Sequence, residues 1–154
     1  MKIVNYRTTT ILGRLLICAI FIITGVALIL ASIFMDAPTI RKVISVTAGI
    51  IGIIYFGRMA IMLNILLLRN KQMFSYDKEI ITVRDQSVKL NSIKNVEEEN
   101  NIPTGYLGIK TPAYVLNLIG GDSIYIPTYY AISKKDYPVI LQTLKGIVSD
   151  RTKR

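Results

Sequence analysis

Carboxylates are the first residues in this chain that could do chemistry. Glu97, Glu98 and Glu99 form its one acidic cluster. Successive strand residues point to opposite faces, so on a strand Glu97 and Glu99 share a side. Two carboxylates on one face could hold a cation or work as an acid–base pair. A strand end facing water needs neither role, and that plainer reading is the expected one. The remaining catalytic repertoire is thin. There is no histidine, so the usual proton-shuttling base of a hydrolytic triad is missing. The single cysteine, Cys18, lies in an apolar run. An intrachain disulfide is therefore excluded, and no Cys/His metal set can be assembled. Tyr106, Tyr114, Tyr125, Tyr129, Tyr130 and Tyr137 read as core and rim residues. The sequence predicts a non-enzyme with no cofactor and no metal. Binding would use an exposed strand edge or the 100–113 segment. There Tyr106 and Lys110 project from a Gly- and Pro-rich stretch, and with Glu97 and Glu99 they are the candidate interaction residues.

Two apolar runs must position whatever the chain presents. From Leu15 to Met35 the sequence LLICAIFIITGVALILASIFM has no charge over 21 residues. As a helix it spans about 31 Å, against about 30 Å for a hydrocarbon core. The second run, Val43 to Leu68, holds one charge, Arg58. A 154-residue chain has too little material to wrap two all-apolar helices. The expectation is a transmembrane hairpin over 11–69, with helices at about 11–35 and 43–69, after a cytosolic segment 1–10. The first run exceeds a signal-peptide core of about 7–15 residues and no Ala-x-Ala site follows, so cleavage is not expected. Nor is lipidation, because Ile17 rather than a small residue precedes Cys18.

Charge sets the orientation. The net charge is +9, which suits an anionic membrane surface. Lys2, Arg7, Arg14, Arg69 and Lys71 flank one side of the hairpin, while Arg41 and Lys42 on the other are offset by Asp36. The basic bias puts both termini in the cytoplasm, in a multi-pass protein of the cell membrane. Arg14, Arg58, Arg69 and Lys71 are the candidate membrane-interface residues. Arg58 lies about 22 Å beyond Val43, where it can snorkel to inner headgroups; the alternative is a buried partner for a ligand or another subunit. Small residues Ser45, Ala48, Gly49 and Gly52 suit close packing on Gly25, Ala27 and Ala31 of the first helix, or on a second copy. Nucleic acid is not an expected partner, because no basic face with base-reading or stacking groups is apparent.

Residues 70–154 read as one small β-rich cytosolic domain. Strands are predicted at 73–76, 80–84, 88–90 and 93–99, then a loop over 100–113, then strands at 114–119 and 123–126 around a Gly120-Gly121-Asp122 turn. Pro127 stops the last strand. Ser133 is a candidate N-cap, with the regular helix beginning nearer Tyr137. Tyr137, Leu141, Leu144 and Val148 fall on its buried face.

This order resembles small bacterial membrane proteins that carry a pleckstrin-homology-like domain behind a transmembrane hairpin. The phrases that carry the resemblance are GIIGIIYFGRMAIML, MFSYDKEIITV and VKLNSIKNVEEEN, with Ser92-Ile93-Lys94-Asn95-Val96 matching a recurrent x-Ile-x-x-Val step. The resemblance implies an α+β membrane protein: a two-helix hairpin, then an antiparallel β domain closed by a C-terminal helix. It brings no catalytic set. It does not license a specific lipid headgroup either, since Lys78 in the first hairpin sits between Asp77 and Glu79. Two functions remain as expectations. One is an interaction module held at the membrane, binding a protein partner or itself. The other is an immunity protein that protects its producer against a bacteriocin or secreted toxin.

Overall fold

The computed structural model describes residues 1–68 and 71–152. Its elements run β1 (Lys2–Asn5), α1 (Thr8–Phe34), α2 (Thr39–Leu68), β2 (Gln72–Tyr76), β3 (Ile80–Val83), β4 (Gln86–Lys89), a 3-10 turn (Leu90–Ser92), β5 (Ile93–Pro103), β6 (Lys110–Leu118), β7 (Ser123–Pro127) and α3 (Asp136–Thr152). The fold is mixed α+β: two long apolar helices, two antiparallel sheets and a closing helix. The sheets are ordered β1-β2-β3-β4 and β5-β6-β7.

The helices pack along a seam spaced by sevens. Ile11, Cys18, Gly25 and Ser32 are the buried residues of α1, the heptad spacing that keeps one stripe facing a neighbouring helix. On α2, Gly49 and Leu63 are buried and Phe56 is half-buried. The rings of Phe21 and Phe56 stack with centroids 4.2 Å apart. At the crossing, a Cβ on Gly49 would stand 2.7 Å from the Gly25 carbonyl oxygen, and a Cβ on Gly25 would stand 3.0 Å from that of Gly49. The expected small-residue contact with the first helix is thus made by Gly25 and Gly49. Gly52 has nothing within 4 Å of a Cβ position and takes no part in it. Elsewhere the helices face outward: only 11% of the most apolar window of either is buried. Ile23, Ile33, Ile51 and Tyr55 are among the exposed side chains.

Several boundaries differ from the sequence reading. Helix α2 begins at Thr39 rather than Val43. Pro38, whose carbonyl accepts the Lys42 N–H at 3.2 Å, starts it, as proline suits the entry to a helix and not its interior. Arg69 lies outside the described residues. The segment 1–10, expected as a cytosolic stretch ahead of the hairpin, supplies β1 and the first residues of α1. Strand β1 pairs antiparallel with β2, Lys2 opposite Tyr76. The helical hairpin is therefore inserted where a short turn would otherwise join two neighbouring strands.

The expected loop 100–113 is also mostly strand. Between Glu99↔Ala113 and Ile102↔Thr111, Asn100 and Asn101 face Pro112 alone. This is a bulge, with Asn101 at φ 70°, a conformation asparagine tolerates. Proline has no N–H for a ladder, so Pro112 sits where the ladder is already broken. Only residues 104–109 remain as the connecting turn, closed by Thr104 N–H to the Ile109 carbonyl at 2.9 Å.

The core is continuous from the hairpin's foot into the sheets. Ile11, Met62 and Leu63 join Phe74, Ile81, Leu116, Ile126 and Leu144 in one buried cluster. The last turns of α2 are thus embedded in the β domain as well as linked to it. On α3, Leu144 and Val148 are buried, while Tyr137 and Leu141 are half-buried.

Candidate functional site

A cleft opens where the foot of α1 meets the second sheet and the entry to α3. Its construction begins at the turn after β7. The Ala131 N–H reaches the Thr128 carbonyl at 2.8 Å, and the two residues between them, Tyr129 and Tyr130, have φ of 51° and 55°. Turns of this left-handed kind are normally built from Gly, Asn or Asp. Bulky side chains there are strained, and such strain persists only where surrounding structure over-determines it.

The surroundings do over-determine it. Tyr6 donates its hydroxyl to the Pro127 carbonyl at 2.6 Å, and the Arg7 N–H reaches the Ala131 carbonyl at 3.3 Å. Arg7 pairs with Asp136 at 2.8 Å, tying α1 to the start of α3. Tyr130 donates to the Lys110 carbonyl at 3.0 Å. Thr128 donates to the Pro112 carbonyl at 2.8 Å. The chain's first residues and its last loop are thus bolted together.

The two tyrosines serve different sites. Tyr129 is buried, edge-on to Tyr6 and to Tyr106 at 5.7 and 5.9 Å, and the Arg84 guanidinium lies 5.5 Å from its ring centre. Tyr130 instead lines the cleft, a cavity of about 330 Å³ with Arg14, Glu98, Thr128, Ser133 and Lys134 also in its wall. The Arg14 guanidinium sits 5.5 Å from the Tyr130 ring centre, a cation–π distance. Its Nε is buried and has no hydrogen-bond partner. A groove of about 600 Å³ lies elsewhere, lined by Arg84, Asp85, Ile102, Pro103, Ser123 and Tyr125.

The residues singled out by sequence do not converge. Arg14 enters the cleft. Arg58 is exposed on α2, with a guanidinium nitrogen 4.0 Å from where a Cβ of Gly108 would stand, so it reaches the 104–109 turn. Lys71 is half-buried and accepts the Tyr6 N–H on its carbonyl at 2.9 Å. Tyr106, expected to project, is half-buried against Tyr129. Lys110 is exposed and contributes its carbonyl to Tyr130. Glu97 and Glu99 are exposed on β5. Glu97 accepts hydrogen bonds from the amides of Asn95 and Asn117 at 2.9 and 3.2 Å. Among the described residues no three potential metal ligands of the His, Cys, Asp or Glu kind come together. The carboxylate in the cleft is Glu98, which strand alternation turns away from Glu97 and Glu99.

Sequence reasoning missed Thr128, Tyr130, Ser133 and Lys134 as cleft residues. One signal was present: adjacent tyrosines between Pro127 and the α3 cap leave no residue suited to the turn this connection needs.

Two tyrosines of this region, Tyr6 and Tyr114, hold their protons more tightly than a free phenol. Burial, more than the neighbouring Tyr106, pushes the Tyr6 phenol well above its ordinary range, although Arg84 opposes the shift. Tyr114, whose hydroxyl donates to the Tyr137 carbonyl at 2.9 Å, is raised by burial and then by Tyr137, Glu98 and Asp136.

A model described as a family of unknown function (DUF5381) covers residues 2–144. No curated protein and no solved structure matches the chain.

Proposed function

We propose a function for this chain, which belongs to that family of unknown function: it is an integral membrane protein that holds a pleckstrin-homology-like domain against the cytoplasmic face of the membrane and works by binding. The observation that carries this reading is the pair of helices, outward-facing and apolar over most of their surface, fixed at both ends to one β domain. Soluble proteins rarely expose contiguous apolar patches beyond a few hundred Å², and two bare helices of 27 and 30 residues exceed that.

Distances along the hairpin support a specific placement. The Gly25–Gly49 crossing stands about 15 Å by helical rise from both Leu15 and Met35. A slab of about 30 Å centred there is bounded by Arg14 and Arg58 on the domain side. Asp36, Arg41 and Lys42 lie towards the other side. The excess of Lys and Arg on the side of the termini supports a cytoplasmic domain. Four strands and three strands closed by one C-terminal helix support the pleckstrin-homology-like reading.

Binding without turnover is supported by the scattered carboxylates and the exposed edges. Strand β7 is an outer strand of its sheet and presents the exposed Tyr125 beside the 600 Å³ groove. Unpaired strand edges are templates for another chain. Confinement to the membrane surface raises the effective concentration of a partner in the same layer. The test is extraction and crosslinking together. The chain should stay in the membrane pellet through alkaline carbonate. A photo-crosslinker at Tyr125 should give a discrete adduct, while one at Val139, on α3, should not. Release into the carbonate supernatant would refute the membrane reading. Adduct formation indifferent to position would refute the edge as the binding surface.

A further inference from the structure

We infer that the cleft between α1 and the β domain binds a phosphate group, and that the headgroup of a membrane phospholipid supplies it. The lipid source rests on the membrane placement above; the chemistry of the site does not.

The cleft holds more positive than negative charge. Arg14 and Lys134 line it with Glu98, and the ion pairs among the described residues, Met1 with Asp77 and Arg7 with Asp136, use neither cation. The Arg14 Nε is buried without a partner, so a ligand would meet the guanidinium only where the side chain lines the cleft wall. Tyr130 steadies the guanidinium from its own ring. Tyr130 is in turn fixed by its hydroxyl and by a strained turn. Guanidinium forks match phosphate oxygens in bidentate fashion. Ser133 also lines the wall; its hydroxyl oxygen accepts the Lys135 N–H at 3.3 Å, whereas the Thr128 hydroxyl is already committed to the Pro112 carbonyl. The cavity, about 330 Å³, falls at the small end of ligand pockets, which run from about 300 to 1,000 Å³.

Position selects the source. Arg14 is the residue immediately before the uncharged run that begins at Leu15. With the hairpin in a bilayer, that puts the cleft at headgroup depth. A lipid whose tails lie along the exposed apolar face of α1 would bring its phosphate there.

The experiment uses the full chain in a non-ionic detergent and native mass spectrometry. The probes are phosphatidylglycerol, phosphatidylethanolamine and the phosphate-free diacylglycerol of the same tails. The expected result is saturable retention of one phospholipid per chain and no saturable retention of diacylglycerol. Arg14→Gln should weaken retention roughly tenfold or more, the usual scale for a charge-assisted hydrogen bond. Arg14→Lys should recover part of it. Lys134 is exposed, so Lys134→Gln leaves the fold intact and should weaken retention several-fold even if Arg14→Gln fails to fold. Millimolar inorganic phosphate separates the sources. Failure to displace the lipid supports the headgroup; full displacement with tight binding of phosphate alone overturns the lipid source and leaves a site for a soluble phosphate compound. Equal retention of diacylglycerol, or retention unchanged in both Arg14→Gln and Lys134→Gln, overturns the site itself. Carbonate extraction reports separately on the membrane reading.

Discussion

Tyr6 ties the segment ahead of α1 to the end of β7, through a buried hydroxyl on the Pro127 carbonyl. Removing that donor leaves a buried carbonyl unpaired, so Tyr6→Phe should destabilise the fold by about 1–3 kcal/mol at neutral pH in chemical denaturation. The same residue gives a pH signature. Burial raises the phenol's pKa in the folded state of Tyr6 and of Tyr114, while in the unfolded chain both titrate near 10. Below that value both states bind the proton and nothing changes. Above it the unfolded state releases protons that the folded state keeps, so stability falls as pH rises beyond about 10. Thermal unfolding between pH 8 and 11.5 should show this alkaline loss, and Tyr6→Phe should reduce its slope. At this scale the sequence was only partly legible. Arg14 stands out in the sequence because it immediately precedes an uncharged run, and among the described residues it is the one candidate membrane-interface residue that lines the cleft. Its neighbour Tyr130 does not stand out, since the left-handed turn comes from long-range ties to Tyr6, Arg7 and Lys110. Strand alternation groups Glu97 with Glu99 and leaves Glu98 on the opposite face, the one that meets the cleft.

Elements were easier to read where the signal was periodic. The Gly120–Asp122 hairpin turn, the Ser133 cap region and the buried stripe of α3 follow from local spacing, and the structure has them near those positions. Leu144 is fully buried at the centre of that stripe. Leu144→Ala should cost about 2–5 kcal/mol, measured by denaturation of the full chain in detergent; a loss below about 0.5 kcal/mol would contradict its place in the core. The helix pair makes a sharper test, since two glycines three residues apart have opposite surroundings. A side chain at Gly49 meets backbone at 2.7 Å, and one at Gly52 meets nothing within 4 Å. Gly49→Leu should destabilise the hairpin by about 1–3 kcal/mol, and Gly52→Leu should be close to neutral in the same thermal-unfolding assay. Spacing alone favoured both glycines equally; which one faces α1 depends on the crossing point. Pro112 misled for a related reason. It is a strand breaker by default, and only the bulge across from it makes strand β6 possible there.

At the scale of the whole molecule, the hairpin and the β domain form one unit. Strand β1 leads into α1, and α2 leads back to β2, the strand that pairs with β1. That pairing joins Lys2 to Tyr76 across the length of the helical insertion. No local pattern in MKIVN announces it, because a four-residue edge strand carries too little periodicity. Its consequence is mechanical: both feet of the hairpin are fixed in the sheet and the core, so the domain is held at a set distance from the apolar surface. The central claim is that this surface lies in a bilayer with the domain on the cytoplasmic side. Single cysteines test it most directly. In a Cys18→Ser background, Thr39→Cys places a thiol at the exposed start of α2, and Asp122→Cys places one at the exposed turn between β6 and β7. Intact cells are treated with a membrane-impermeant thiol reagent, before and after permeabilisation. Thr39→Cys should label in both conditions and Asp122→Cys only after permeabilisation. Labelling of Asp122→Cys in intact cells would contradict the proposed placement, whether or not Thr39→Cys labelled with it.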